Sequence, residues 1–134
     1  MGKDNRGFTL VELIVTIAII GILAGIGIYT NYAHSLKRAR DGRREADLEQ
    51  IRSALEMCRA DTGSYPTNLP GHCSNYLTVP TDPLSPTYEY RYNGSATSYT
   101  LCAYLESGGQ TTNCTGSCGG NCGTAACNYK VCNP

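Results

Sequence analysis

Residues Phe8 to Ala33 read FTLVELIVTIAIIGILAGIGIYTNYA, 26 residues with one charged side chain, Glu12. Wound as an α-helix, this run is about 39 Å long, more than the ~30 Å hydrocarbon core of a bilayer. A helix apolar on every side is set either in a membrane or inside a large protein. A chain of 134 residues has too little other protein to surround one. The run therefore predicts a membrane-spanning helix.

Glu12 is the anomaly within it. A carboxylate inside a membrane helix costs ~2.5–3.5 kcal/mol on insertion scales, so such residues usually have a partner and a function. A plainer reading is that Glu12 reaches the interface and caps its own helix. Gly21, Gly25 and Gly27 also interrupt the run. Gly21-x-x-x-Gly25 lets membrane helices approach closely, and each Gly weakens the helix by ~1 kcal/mol relative to Ala. These three positions are expected to be its flexible stretch.

The flanks are unusual for an exported chain. The leader, residues 1–7, is short and carries Lys3 and Arg6. A secretory signal is cut after its apolar run, next to small residues. Cutting after Ala24 would release a soluble protein beginning at Gly25. The stronger site lies before the run, at Gly7-Phe8.

The stretch Arg6-Gly7-Phe8-Thr9-Leu10-Val11-Glu12-Leu13-Ile14 resembles the type IV pilin family, which includes the pseudopilins of type II secretion and DNA uptake. The resemblance is closest from Lys3 to Tyr32 and extends to Pro66. It implies that a prepilin peptidase cuts after Gly7 and methylates the new amine of Phe8. It also implies that Glu12 neutralises the amine of a neighbouring subunit during assembly. Glu12 lies one turn from that amine, at the positive end of the helix dipole. The partners implied are identical or related pilin subunits, the peptidase, membrane lipid before assembly and an assembly platform protein. The resemblance further places the chain in the inner membrane as a single-pass protein, then in an extracellular or periplasmic filament.

From Ser35 to Ala60 the helical pattern continues, with Gly42 the only Gly and no Pro. Leu48, Ile51, Leu55 and Cys58 form a stripe that can face a sheet. The helix is expected to span about residues 8–61 and stop at Asp61-Thr62-Gly63, with Pro66 beyond. The basic cluster Lys37–Arg44 reads as a solvated face rather than a nucleic-acid site, since no aromatic residue interleaves it. These charges conflict with Lys3 and Arg6 under the positive-inside rule. The cysteines decide the conflict, placing the C-terminal domain outside the cytoplasm.

Cys58, Cys73, Cys102, Cys114, Cys118, Cys122, Cys127 and Cys132 make an even count in a small, loop-rich domain. Such a count reads as a disulfide framework in an oxidising compartment. Eight cysteines allow 105 pairings. The pairs expected are Cys58–Cys73 and Cys102–Cys132, with the other four pairing locally. The spacing of Cys114, Cys118, Cys122 and Cys127 departs from the paired C-x-x-C of zinc ribbons, so no metal is expected, a four-Cys zinc module being a distant alternative.

Thr62 to Thr87 holds five prolines and reads as loop. Tyr88–Tyr92 alternates as a strand, Asn93-Gly94 begins a turn, Tyr99–Glu106 is a second strand and Asn128–Cys132 a third. Asp82-Pro83-Leu84-Ser85-Pro86-Thr87-Tyr88-Glu89-Tyr90 resembles the entry to the sheet of major pseudopilins. Leu84 stands where they carry Trp, and the second Pro comes one residue early. Those pseudopilins bind calcium in an acidic loop after the next strand. Here the loop offers only Glu106, too few oxygens for a hard cation, so calcium is not expected.

Domains of 1–7 (leader), 8–33 (membrane and assembly helix), 34–61 (amphipathic continuation) and 62–134 (disulfide-rich sheet region) follow. The fold class is α+β, pilin-like: one long N-terminal helix, its second half packed on a small antiparallel sheet. Net charge is zero, so no polyanionic partner is indicated. His34 and His72 lack a sequence-evident nucleophile, and no phosphate-cradling loop appears. The chain is expected to be a structural subunit without catalysis or cofactor. A pilin, a type II secretion pseudopilin and a lone membrane-anchored binding domain remain open.

Overall fold

The computed structural model describes residues 7–109 and 114–134. The elements are α1 (Leu10–Thr62), a one-turn 3-10 helix (Gly71–Cys73), β1 (Arg91–Gly94), β2 (Tyr99–Ala103) and β3 (Tyr129–Cys132). This is the α+β class, one long helix and a small antiparallel sheet. The chain divides into two compact units, Met1–Leu36 and Lys37–Pro134.

In the first unit α1 begins after Thr9, whose hydroxyl accepts the Glu12 amide N–H at 3.2 Å and so caps the first turn. It continues unbroken through Gly21, Gly25 and Gly27. The side chains from Phe8 to Ile28 are exposed, Phe8 at 80%. This helix is long and apolar enough to cross a membrane.

In the second unit the stripe forms as its spacing requires. Leu48, Ile51, Leu55 and Cys58 are fully buried, against Tyr65, Leu77, Tyr99, Leu101, Ala103 and Val131. The helix ends where Gly63 turns to φ +82°, in the left-handed region that Gly enters without strain. The sheet order is β1-β2-β3, both pairs antiparallel. Arg91 pairs with Cys102, and Leu101 with Val131.

The central strand β2 is buried along its whole length. Tyr99, Leu101 and Ala103 join the helix core, while Cys102 joins a second cluster with Cys118 and Cys122. The sheet is therefore covered on both sides, by α1 and by the cysteine-rich segment.

Several expected boundaries shift. The ladder starts at Arg91, not Tyr88, because the Thr87 carbonyl accepts Thr124 N–H and the Tyr90 hydroxyl donates to Asp47. The alternation of Tyr90 and Tyr92 still holds, both packing on the helix core. Asn93 and Gly94 belong to β1. The reversal falls at Ser95–Ser98, where Ser95 N–H donates to the Ser98 carbonyl and the Ser95 hydroxyl accepts Ser98 N–H. Strand β2 stops at Ala103 because the Asn128 side chain takes both the N–H and the carbonyl of Leu105.

The disulfides are Cys58–Cys73, Cys102–Cys118, Cys114–Cys132 and Cys122–Cys127. The expected Cys102–Cys132 bond is replaced. Cys102 and Cys132 lie on neighbouring strands, but Thr100 is the register partner of Cys132, whereas Cys102 faces Lys130. Nor do the remaining four cysteines pair among themselves; only Cys122 and Cys127 do.

Candidate assembly site and ionic clamp

Two places carry unusual chemistry, one in each unit. At the start of α1, Gly7, Phe8 and Thr9 precede the helix without regular secondary structure. Glu12 lies in the first turn of an otherwise apolar segment. Thr9 and Glu12 have the spacing of a capping box, but it is the Thr9 hydroxyl that caps. Among the described residues the Glu12 carboxylate takes no hydrogen bond or ion pair. Negative charge is favoured there by the helix dipole. Lys3 and Arg6 of the leader lie outside the described residues.

The second place is an ionic clamp between α1 and two loops. Arg44 is fully buried. Its Nε and Nη2 donate to the two Asp82 oxygens at 2.7 and 3.0 Å. Its Nη1 donates to Asp41 and to Glu106, each at 2.9 Å. Arg40 grips Glu106 through two further bonds of 2.7 Å. Asp41 also accepts the amide N–H groups of Glu106 and Ser107, and Asp82 that of Leu84. The Arg44 guanidinium lies 5.4 Å from the Tyr88 ring centre, and that ring stacks on Tyr104 with centroids 4.6 Å apart.

The charges respond accordingly. Hydrogen bonding from Arg40, reinforced by Arg44, holds the Glu106 carboxyl at about 2 against the opposing effect of burial. Burial works to raise the Asp41 carboxyl, but the two amide N–H groups and Arg44 outweigh it and hold it low. Burial also opposes the charge on Arg44, and its three carboxylate partners overcome that and raise it further.

The basic cluster is therefore not a uniformly solvated face. Lys37 and Arg38 are exposed, whereas Arg40 and Arg44 turn inward to acidic partners. The i,i+3 spacing makes Asp41 and Arg44 neighbours on the helix, but sequence reasoning missed their convergence with Asp82 and Glu106. The available signal was an Asp-Pro loop and a lone loop Glu in a domain with a basic helix.

Calcium does not fit this site. Each of the six carboxylate oxygens of Asp41, Asp82 and Glu106 already accepts an N–H. A hard cation needs six to eight oxygen ligands. Among the described residues, two sulfur clusters bring metal-ligating residue types together: Cys58, Cys73 and His72, and Cys102, Cys118 and Cys127. Their sulfurs are in disulfides and offer no thiolate. The zinc alternative drew on Cys114, Cys118, Cys122 and Cys127, which are also disulfide-bonded. His72 Nε2 lies near the Thr62 hydroxyl and the Ser64 carbonyl.

A long apolar helix opening on Thr-x-x-Glu, continuing into an amphipathic half that carries a three-stranded sheet, defines a protein of the type IV pilin class. Residues 2–28 match the family model described as the prokaryotic N-terminal methylation motif, and residues 31–117 match that of the type II secretion system protein G. The chain belongs to the type II secretion protein G family. It is 33% identical to the type II secretion system core protein G of Dickeya chrysanthemi over 64% of this chain and 55% of that protein. To the core protein G of Escherichia coli K12 it is 36% identical, over 50% of this chain and 46% of the relative. The type IV major fimbrial protein FimA of Dichelobacter nodosus is 45% identical over 46% of this chain and 38% of its own length. The chain thus spans about a third to a half of the length of these curated relatives. No solved structure matches it.

Proposed function

We propose that this chain is a structural subunit of a type IV pilus-like filament, held in the cytoplasmic membrane by the first half of α1 until it assembles. Prepilin peptidase cuts between Gly7 and Phe8 and methylates Phe8. Glu12 then accepts the Phe8 amine of a neighbouring identical or related subunit as an assembly platform protein feeds it into the filament. The observation that carries this reading is the Glu12 carboxylate, without a hydrogen bond or ion pair among the described residues, at the head of an apolar helix. The match to the methylation motif supports it. Gly21, Gly25 and Gly27, where an added Cβ would meet nothing within 4 Å in the lone chain, are the stretch that adapts when helices pack together.

Four disulfides support a C-terminal domain outside the cytoplasm. The protein G match from residue 31 to 117 favours a pseudopilin, which pushes cargo through an envelope, over a pilin of adhesion or motility. The chain acts without catalysis of its own. Mass spectrometry of the mature N-terminus tests the proposal. N-methyl-Phe8 is expected, and a chain beginning at Gly25 or retaining residues 1–7 would overturn it.

A further inference from the structure

The clamp has an unusual construction. Three carboxylates from three places in the chain, Asp41 on α1, Asp82 in the proline-rich loop and Glu106 after β2, converge on one positive centre that is fully buried. That is the layout of a cation cage, with the cation supplied by the chain itself. We propose that the Arg44 guanidinium serves as a built-in cation, fixing the loop after β2 so that the folded subunit neither binds nor needs a divalent metal ion.

The geometry supports a cation and not merely a packed side chain. A planar guanidinium offers its N–H groups in a fixed fork. Four of the bonds it makes here go to carboxylate oxygens in three directions. Arg40 completes the neutralisation by taking both oxygens of Glu106. The Glu106 backbone is ordered as well, because Asp41, itself held by Arg44, accepts the N–H groups of Glu106 and Ser107. The loop is thus tied to the helix through charge and backbone together. An external ion would have to displace Arg44, whose removal leaves three buried or nearly buried carboxylates facing one another.

This inference is independent of what the filament does, and it is tested on the purified full chain in detergent. Thermal unfolding is followed by circular dichroism at neutral pH, with millimolar calcium or with a chelator, and calcium binding is measured by titration calorimetry. Wild type is expected to melt at the same temperature in both and to show no binding heat. Calcium binding, or a higher melting temperature with calcium, would overturn the proposal. Arg44→Met, close to Arg in length but uncharged, is expected to melt lower by about 10 °C or more. Arg44→Lys, which restores the charge without the fork, is expected to recover part of that loss. If Lys were no better than Met, Arg44 would be a packing residue and the proposal would fail. Should the variants not fold, the wild-type calcium measurements still decide it.

Discussion

Arg44 and Asp82 stand 38 positions apart, yet they meet through two parallel hydrogen bonds of 2.7 and 3.0 Å in the interior of the second unit. Both side chains are essentially inaccessible, at 0% and 1%. A fork-to-fork pair of this kind fixes direction as well as distance. It determines where the proline-rich loop crosses the helix, and Leu84 N–H on Asp82 then sets the turn that follows.

Removing one member of a buried pair leaves the other uncompensated. Asp82→Asn is expected to cost ~3–5 kcal/mol. Denaturant unfolding of the full chain in detergent, compared with wild type, measures it. A loss below ~1 kcal/mol would mean that Arg44 is satisfied by Asp41 and Glu106 alone.

Acid should loosen the same clamp. The folded Glu106 carboxyl is held at about 2, below its ordinary 4.5, and Asp41 is also held low. A depressed carboxyl contributes stability that is complete above its unfolded value and disappears as pH falls through its folded value. The melting temperature is therefore expected to drop between about pH 5 and pH 2. Glu106→Gln, less stable at neutral pH, is expected to show a shallower acid slope. Equal slopes would remove Glu106 from the account.

Two neighbours on α1 make a paired test of the core. Leu55 is fully buried and Met57 is 55% exposed. Leu55→Ala is expected to cost ~2–5 kcal/mol, and Met57→Ala to stay within about 0.5 kcal/mol. Chemical denaturation of both variants checks the direction of the helix stripe.

The bond between Cys58 and Cys73 closes a loop with a sequence separation of 15. Loops of that length gain ~3 kcal/mol from a crosslink. The double variant Cys58→Ala/Cys73→Ala is expected to lose about that much, read from the denaturation midpoint. An unchanged midpoint would show that Tyr65 and Leu77 hold the loop unaided.

At the other end of the helix, Glu12→Val is expected to leave membrane insertion intact, since it removes an insertion penalty. It is expected to prevent incorporation into filaments alongside wild-type partners. Quantifying variant and wild-type chains in sheared filaments tests this, and equal incorporation would end the pairing role proposed for Glu12.

Much of this fold was legible in the sequence because its signals are local. The apolar run sets the first half of α1, and the spacing of Leu48, Ile51, Leu55 and Cys58 sets the buried stripe. Gly63 and Pro66 set the stop. The strand ends were less legible, since Tyr88 and Leu105 are extended or turning according to partners such as Thr124 and Asn128, far along the chain. The clamp was hidden for the same reason. Arg44 looks like its exposed neighbours Lys37 and Arg38 until folding brings Asp82 and Glu106 to it. Disulfide partners also depended on register, with two residues of shift separating Cys102 from Cys132.

The cysteine connectivity sets a timetable. Cys102 bonds to Cys118 and Cys114 to Cys132, so each link encloses one end of the other. Bonding in order of synthesis would join Cys102 to Cys114, the wrong partner, before Cys118 or Cys132 had been made. The correct pair at Cys114 waits for Cys132, in β3. A subunit with its bonds in place therefore carries a record that β3 has arrived, well after the apolar half of α1 was made.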